Sequence, residues 1–361
     1  MNSKNLILFI LSNLFLFESC VYYVWKKEFE KDDRNQNALI LSLLDVIQNP
    51  NQELFAFIPG PSRNFSDTQF VESSLHTPTD KPKLIFIHGW NPIERDTDPF
   101  TSRIRKIQNI EGTFSNAIIH FQENQNNVNS TFDLYAFTYR TSNGVVFNGE
   151  GFLKFLTLKF KISDKIIVVA HSMGGLVTRA AMKSNNYSAG LIDGVITLAS
   201  PVFGSPFASK KYLANQTFAS ELSSFLIETQ GGTDLGYTNN GNGQIEILEE
   251  SNVVLDYINN GFIYNSIFVN FSGVLSPCSG AETFYYTTGC QILSNSSPSF
   301  PLNDGIVSEN SAMMGNTGIR SFRKTGFDHS MMSFQTKNID DSSNILYFNE
   351  MVTQAKALLG N

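Results

Sequence analysis

The sequence predicts an α/β protein: a mostly parallel central sheet with helices on both faces and a helical lid inserted late in the chain. Three observations predict it. Short unbroken apolar runs recur along the chain, and such runs suit strands buried on both faces of a parallel sheet. Segments of helical periodicity alternate with them. One connection of roughly sixty residues is far longer than ordinary loops, as functional insertions often are. Of the 361 residues, 42% are hydrophobic and 16% charged, with 31 phenylalanines. That is a globular balance, the opposite of disorder. It fits one domain of about 280 residues with a lead-in before it. The formal charge of -7 comes with no basic stripe, so no nucleic-acid partner is expected.

The elements follow in chain order. Residues 1–20 read as a signal peptide: Lys4 gives a short positive start, and Leu6 to Phe17 is apolar apart from Ser12 and Asn13. The run is too short for a membrane-spanning helix. Phe17-Glu18-Ser19-Cys20 resembles a bacterial lipoprotein box, although Glu18 stands where a small residue is usual. Three outcomes stay open: a lipidated Cys20 attached to a membrane, plain secretion, or an uncleaved anchor. Residues 21–80 read as a tether and lead-in. A charged run, Lys26 to Arg34, precedes an apolar helical stretch, Ala38 to Ile47, with room for an early strand among Pro50, Pro59 and Pro61.

The catalytic domain is expected over 81–361. Its strands are read at Leu84 to Ile87, Phe132 to Tyr139, Ile166 to Ala170, Val195 to Leu198 and Ile267 to Phe271. Helical spacing marks Phe152 to Phe160 and Leu176 to Lys183. The lid, at about 205–264, is expected to hold helices near Lys210 to Ile227 and Glu246 to Ile258, separated by a loop from Gly231 to Gly243. The alternative is a peripheral decoration. Once Cys20 is set aside, Cys278 and Cys290 remain as an even pair in a loop-like stretch. A bridge there would stabilise by roughly 3 kcal/mol and would suit an oxidising compartment; two free thiols are the alternative. Neither their spacing nor their neighbours suggest zinc.

The chemistry centres on Ala170-His171-Ser172-Met173-Gly174-Gly175, directly after the third expected strand and opening a helix. This is the nucleophile-elbow pattern with Ala at its first small position. A nucleophile on so sharp a turn needs small neighbours two residues to either side, and Ala170 and Gly174 meet that demand. Ser172 is the candidate nucleophile, and a serine hydroxyl needs a base. His76, His88 and His120 precede Ser172 and His171 adjoins it, so in the order Ser, acid, His only His329 is left. For the acid, Asp193 lies at the wrong end of a strand, Asp234 and Asp256 lie in the expected lid, and Asp328 adjoins the histidine. Asp304, in the turn Asn303-Asp304-Gly305-Ile306-Val307, is the candidate that holds the His329 tautomer. The oxyanion hole is assigned to the N–H of Met173 and that of Trp90 in His88-Gly89-Trp90, with His88 supporting the loop.

Together these motifs resemble the lipase and esterase families of the α/β-hydrolase superfamily, from about Lys83 to Ser330. The Ala-for-Gly elbow is similar to that of small Bacillus-type lipases. Thr197 to Pro206 resembles the lipase stretch after the nucleophile helix, except that Val202 stands where those enzymes often carry histidine. The elbow is also similar to that of inositol-lipid-anchor deacylases and of lipid acyltransferases. The resemblance implies an α/β-hydrolase fold and acyl transfer to water from an ester or lipid substrate, with no metal or organic cofactor required. Calcium supports the histidine loop in some related lipases; here that point stays open. The alternatives are an acyltransferase or phospholipid deacylase with the same triad, and a non-catalytic surface protein on a hydrolase scaffold.

Overall fold

The computed structural model describes residues 52–60, 66–91, 94, 103–209, 212–213, 229–237, 251–314 and 319–360. The expected signal peptide, Cys20 and the tether helix lie outside these residues, as does most of the expected lid.

One eight-stranded sheet organises the described chain, in the order β2-β1-β4-β3-β5-β6-β7-β8. Its strands are β1 (Gln52–Phe57), β2 (Phe70–Glu72), β3 (Lys83–Ile87), β4 (Asp133–Tyr139), β5 (Ile166–His171), β6 (Gly194–Leu198), β7 (Phe268–Val274) and β8 (Arg320–Thr325). From β4 to β8 every neighbouring pair is parallel; β1 runs antiparallel to both β2 and β4. The helices are α1 (Arg103–Gln122), α2 (Val128–Thr131), α3 (Val145–Lys159), α4 (Met173–Lys183), α5 (Gln230–Asp234), α6 (Val253–Asn259), α7 (Phe284–Asn295), α8 (Glu309–Ala312) and α9 (Ser342–Leu358).

Why the apolar runs become central strands is visible in β3. Successive side chains point to opposite faces. Leu84 and Phe86 enter one core with Phe114 and Ile118 of α1 and Phe348 and Met351 of α9. Ile85 and Ile87 enter the other with Phe152 and Leu156 of α3 and Leu176 and Val177 of α4. Both faces are covered, so both parities must be apolar. On the second face α3 and α4 approach closely because Gly149 has no side chain: a Cβ there would lie 2.7 Å from Ala180 Cβ and 2.8 Å from the Ala181 nitrogen.

The structure departs from the expectations in four places. The sheet's first described strand begins at Gln52, ahead of the expected boundary at 81. Residues 52–72 supply two strands to the sheet, with Leu54, Phe55, Ala56 and Phe57 buried. The expectation left room for one early strand here and placed it in the lead-in, not in the sheet of the catalytic domain. Second, the expected loop from Gly231 to Gly243 begins inside α5, whose Thr229 cap accepts from the Gly232 nitrogen. Tertiary contact overrides two glycines of low helix propensity there: Asp234 accepts from the Val145 nitrogen at 2.7 Å. Third, Cys290 lies in α7, not in a loop, and is bridged to Cys278 with a Cα–Cα distance of 5.6 Å. Fourth, β8 was not anticipated; it pairs on one side only and reads Arg-Ser-Phe-Arg-Lys-Thr, a charged pattern suited to an exposed edge.

The described parts of the insertion are tied to the domain. Ser205 Oγ donates to the Ile306 carbonyl at 2.7 Å, and Ser311 Oγ to the Gly204 carbonyl at 2.7 Å. Val202, Phe203, Phe207, Tyr212 and Tyr237 form a third apolar cluster with Leu293 of α7 and Phe300. No helix among the described residues is long and apolar enough to cross a membrane.

Candidate active site

The site lies beyond the carboxyl ends of the parallel strands, where open α/β sheets commonly bind ligands. Strand β5 ends at His171 and α4 starts at Met173, so Ser172 alone makes the turn. Its φ of 51° and ψ of -126° fall in a region L-residues rarely occupy, at a cost of order 1–3 kcal/mol. The surroundings enforce it. Ser172 donates its N–H to the Leu198 carbonyl of β6 at 2.9 Å, and its own carbonyl accepts from the Gly175 nitrogen at 3.1 Å. A Cβ on Gly174 would lie 2.6 Å from the Ile87 carbonyl oxygen, and one on Gly175 2.1 Å from Ser200 Oγ. The motif glycines are therefore needed for close packing of α4 against β3 and β6.

His329 comes from the loop after β8 and stands over the serine. Its Nε2 lies 3.0 Å from Ser172 Oγ, and its Nδ1 lies 2.7 Å from Asp304 Oδ2. The backbone repeats the link, since the His329 nitrogen donates to the Asp304 carbonyl at 2.9 Å. With a carboxylate at Nδ1, the network assigns the imidazole proton there and leaves the Nε2 lone pair facing the serine. Asp304 is held in turn: Oδ1 accepts from the nitrogens of Ile306 and Val307 at 2.9 and 2.7 Å. Gly305, at φ 94°, makes that turn. Ser172, Asp304 and His329 are 6%, 1% and 7% exposed, so the three side chains meet in a largely dry place.

The other aspartates do different work. Asp193 accepts from the Ile166 nitrogen at 2.8 Å, at the opposite end of β5. Asp234 caps the start of α3, and burial raises its carboxyl above the ordinary range. Asp256 sits in the first turn of α6. Asp328 organises the His329 loop, accepting from Ser330 Oγ at 2.8 Å, the Met331 nitrogen at 2.9 Å and the Glu282 nitrogen at 2.7 Å.

Met173 opens α4, and the first N–H groups of a helix have no intrahelical partner and carry the positive end of its dipole. Gly89 brings the other loop close, for a Cβ there would lie 2.9 Å from Ser172 Cβ. Trp90 follows it; its indole packs against the α3–α4 core, and Nε1 is buried without a hydrogen-bond partner among the described residues. His88 fixes this loop from beneath. Its ring stacks on Tyr139 at 4.4 Å, Nδ1 reaches the Gly89 carbonyl at 2.8 Å, and Nε2 accepts from the Tyr139 nitrogen at 3.2 Å. Burial lowers its pKa to about 4, so it is neutral at pH 7.

Sequence reasoning missed one residue at the centre. His171 Nε2 donates to the His329 carbonyl at 2.9 Å, tying β5 to the His329 loop. Burial, then the neighbouring His329, holds its pKa well below the usual range. Its adjacency to Ser172 was visible in the sequence; its partner, 158 positions away, was not. Among the described residues no group of three or more His, Cys, Asp or Glu side chains is placed to hold a metal ion.

Residues 84–234 match the model of the PGAP1-like alpha/beta domain. The match covers β3 through α5, including Ser172, and stops before Asp304 and His329. No curated protein matches the chain in sequence. Among solved structures, the mature lipase BlEst2 of Bacillus licheniformis is 17% identical with a TM-score of 0.50, covering 79% of this chain and 94% of that one. Its propeptide form is 18% identical with a TM-score of 0.48; the match covers 78% of this chain and spans 50% of that longer one. A metagenomic carboxyl esterase is 15% identical with a TM-score of 0.45, covering 78% of each chain. At 17% identity the likeness to the mature lipase is one of fold.

Proposed function

The chain carries the α/β-hydrolase fold, lipase- and esterase-like, and from that premise we propose that it is a serine hydrolase of carboxylic esters. The single observation that carries this reading is the contact series Ser172 Oγ to His329 Nε2 at 3.0 Å and His329 Nδ1 to Asp304 Oδ2 at 2.7 Å. A buried serine with positive φ, facing an imidazole lone pair, is arranged to lose its proton as it attacks.

In the proposed reaction Ser172 Oγ attacks the ester carbonyl carbon and its proton passes to His329 Nε2. Asp304 stays ionised and stabilises the imidazolium. The negative charge on the carbonyl oxygen is met by the N–H groups of Met173 and Trp90. The tetrahedral intermediate then collapses, the C–O bond to the alcohol breaks, and His329 Nε2 gives its proton to that oxygen. Water repeats the sequence on the acyl-serine, with His329 again as base, and releases the acid. Every step uses groups of this chain and water. Export is part of the same proposal, supported by the apolar run of residues 6–17 and by the bridge of Cys278 to Cys290.

The test is hydrolysis of p-nitrophenyl esters from short to long acyl length by the chain lacking residues 1–20, beside Ser172→Ala. Turnover that vanishes in the variant is expected, and the length profile separates esterase from lipase. A folded protein that neither turns over esters nor is labelled at Ser172 by a fluorophosphonate would overturn the proposal. Labelling without turnover would redirect it to acyl transfer or a narrower lipid substrate.

A further inference from the structure

Helix α7 touches both of the loops that meet at Ser172. On one side is the acid loop. A Cβ on Gly289 would lie 2.0 Å from the Gly305 carbonyl oxygen, so the backbones of α7 and of the residue after Asp304 are in direct contact. Gly305 is equally confined: a Cβ there would lie 2.7 Å from the Tyr286 carbonyl oxygen and 3.0 Å from Tyr286 Cβ. On the other side is the base loop. The Tyr286 ring stands 6.4 Å from the His329 ring, and its hydroxyl lies near Ser330. Ser330 Oγ donates to Asp328 Oδ1 at 2.8 Å, and Asp328 Oδ2 accepts from the nitrogen of Glu282, just ahead of α7, at 2.7 Å. The disulfide from Cys278 to Cys290 closes this segment upon itself, and Cys290 is fully buried.

We propose that the disulfide-closed segment 278–290 is a clamp that sets the distance between Asp304 and His329, with Tyr286 as its positioning residue. This rests on the reading of Ser172, His329 and Asp304 as a working triad. Acid and base stand 25 residues apart on separate loops; Gly305, next to the acid, packs against the turn of α7 that carries Tyr286, whose ring stands 6.4 Å from that of His329. A displacement of the order of 1 Å between reacting groups can cost about a hundredfold in rate. Tyr286 touches no reacting atom; it acts through Gly305 on the acid and through Ser330 and Asp328 on the base.

Three variants test the clamp. Tyr286→Phe keeps the ring and removes the hydroxyl. Gly289→Ala drives a methyl group against the Gly305 carbonyl. Gly280→Ala is the control, because a Cβ there meets nothing within 4 Å. Ester turnover, the rate of fluorophosphonate labelling and Tm are measured for each, with Ser172→Ala alongside. The first two variants are expected to lower kcat roughly 10- to 100-fold. KM should stay within about twofold, since only an interaction felt in the transition state is disturbed. Labelling should slow in parallel, and Gly280→Ala should match the parent chain. If Gly289→Ala does not fold, Tyr286→Phe decides. Parental kcat and labelling in folded Tyr286→Phe, with activity lost in Ser172→Ala, would overturn the clamp alone. Activity that survives in Ser172→Ala would overturn the triad reading and the clamp with it.

Discussion

At the scale of single residues, the site is a set of groups denied alternatives. Ser172 holds a positive φ because its N–H is claimed by Leu198 and its neighbours are too tightly packed to let α4 slide. His329 has its Nδ1 claimed by Asp304, which fixes the tautomer and leaves one nitrogen for Ser172. Two backbone N–H groups and that imidazole hold the Asp304 carboxylate in place. Asp304→Asn tests this directly. The amide can present a donor to Nδ1 and so favour the wrong tautomer, and kcat should fall about 10⁴-fold while the fold is kept. A loss of less than about tenfold would move the acid's role to another carboxylate.

At the scale of elements, close backbone approaches do most of the positioning. Helix α4 follows the Ser172 turn and is pressed from outside by α3 across Gly149. Filling that contact with a methyl group forces the two helices apart, because both Ala180 and the α4 backbone lie under 3 Å from the added carbon. Gly149→Ala should therefore lower stability by about 1–3 kcal/mol, as overpacking of a tight core does. The urea midpoint should drop with m unchanged. An unchanged midpoint would mean that α3 is free to move. Arg179, on the same helix, shows a different use of packing. Its guanidinium is buried 3.8 Å from the Phe262 ring centre and bonded to Asn259 and Asn265, and burial lowers its pKa to about 9.

For the whole molecule, buried neutral histidines link folding to pH. His88 has a folded pKa of about 4 against an ordinary 6.5. Between those values the unfolded chain binds the proton and the folded chain does not, so stability rises with pH across that window. The contribution is complete above pH 6.5 and, for His88, declines by about 3 kcal/mol as pH falls to 4. His171 shifts in the same direction. Asp234 and Glu53, raised by burial, act in the opposite sense, since the folded chain keeps their protons longer. Tm measured from pH 7 to 4.5 should fall less in His88→Asn than in the parent chain. Parallel curves would show that His88 is not the titrating group.

The sequence by itself determined the α/β class, the five central strands and the identities of Ser172, His329 and Asp304 as candidates. The reasons are local. A strand buried on both faces must be apolar at every position, a one-residue strand-to-helix turn needs small neighbours, and the order of five histidines leaves one base. Tertiary structure alone decided the rest. Strands β2 and β8 sit at the sheet's edges, so their sequences need not carry a continuous apolar run, and the pairing of β1 between β2 and β4 is set by contacts with segments distant in sequence. Glycine-bearing α5 stays helical through contacts made with α3. The roles of His171, Tyr286 and Asp328 rest on hydrogen bonds and close packing formed only when distant segments meet. No single stretch of sequence records such contacts, because the partners are neighbours in space and not along the chain.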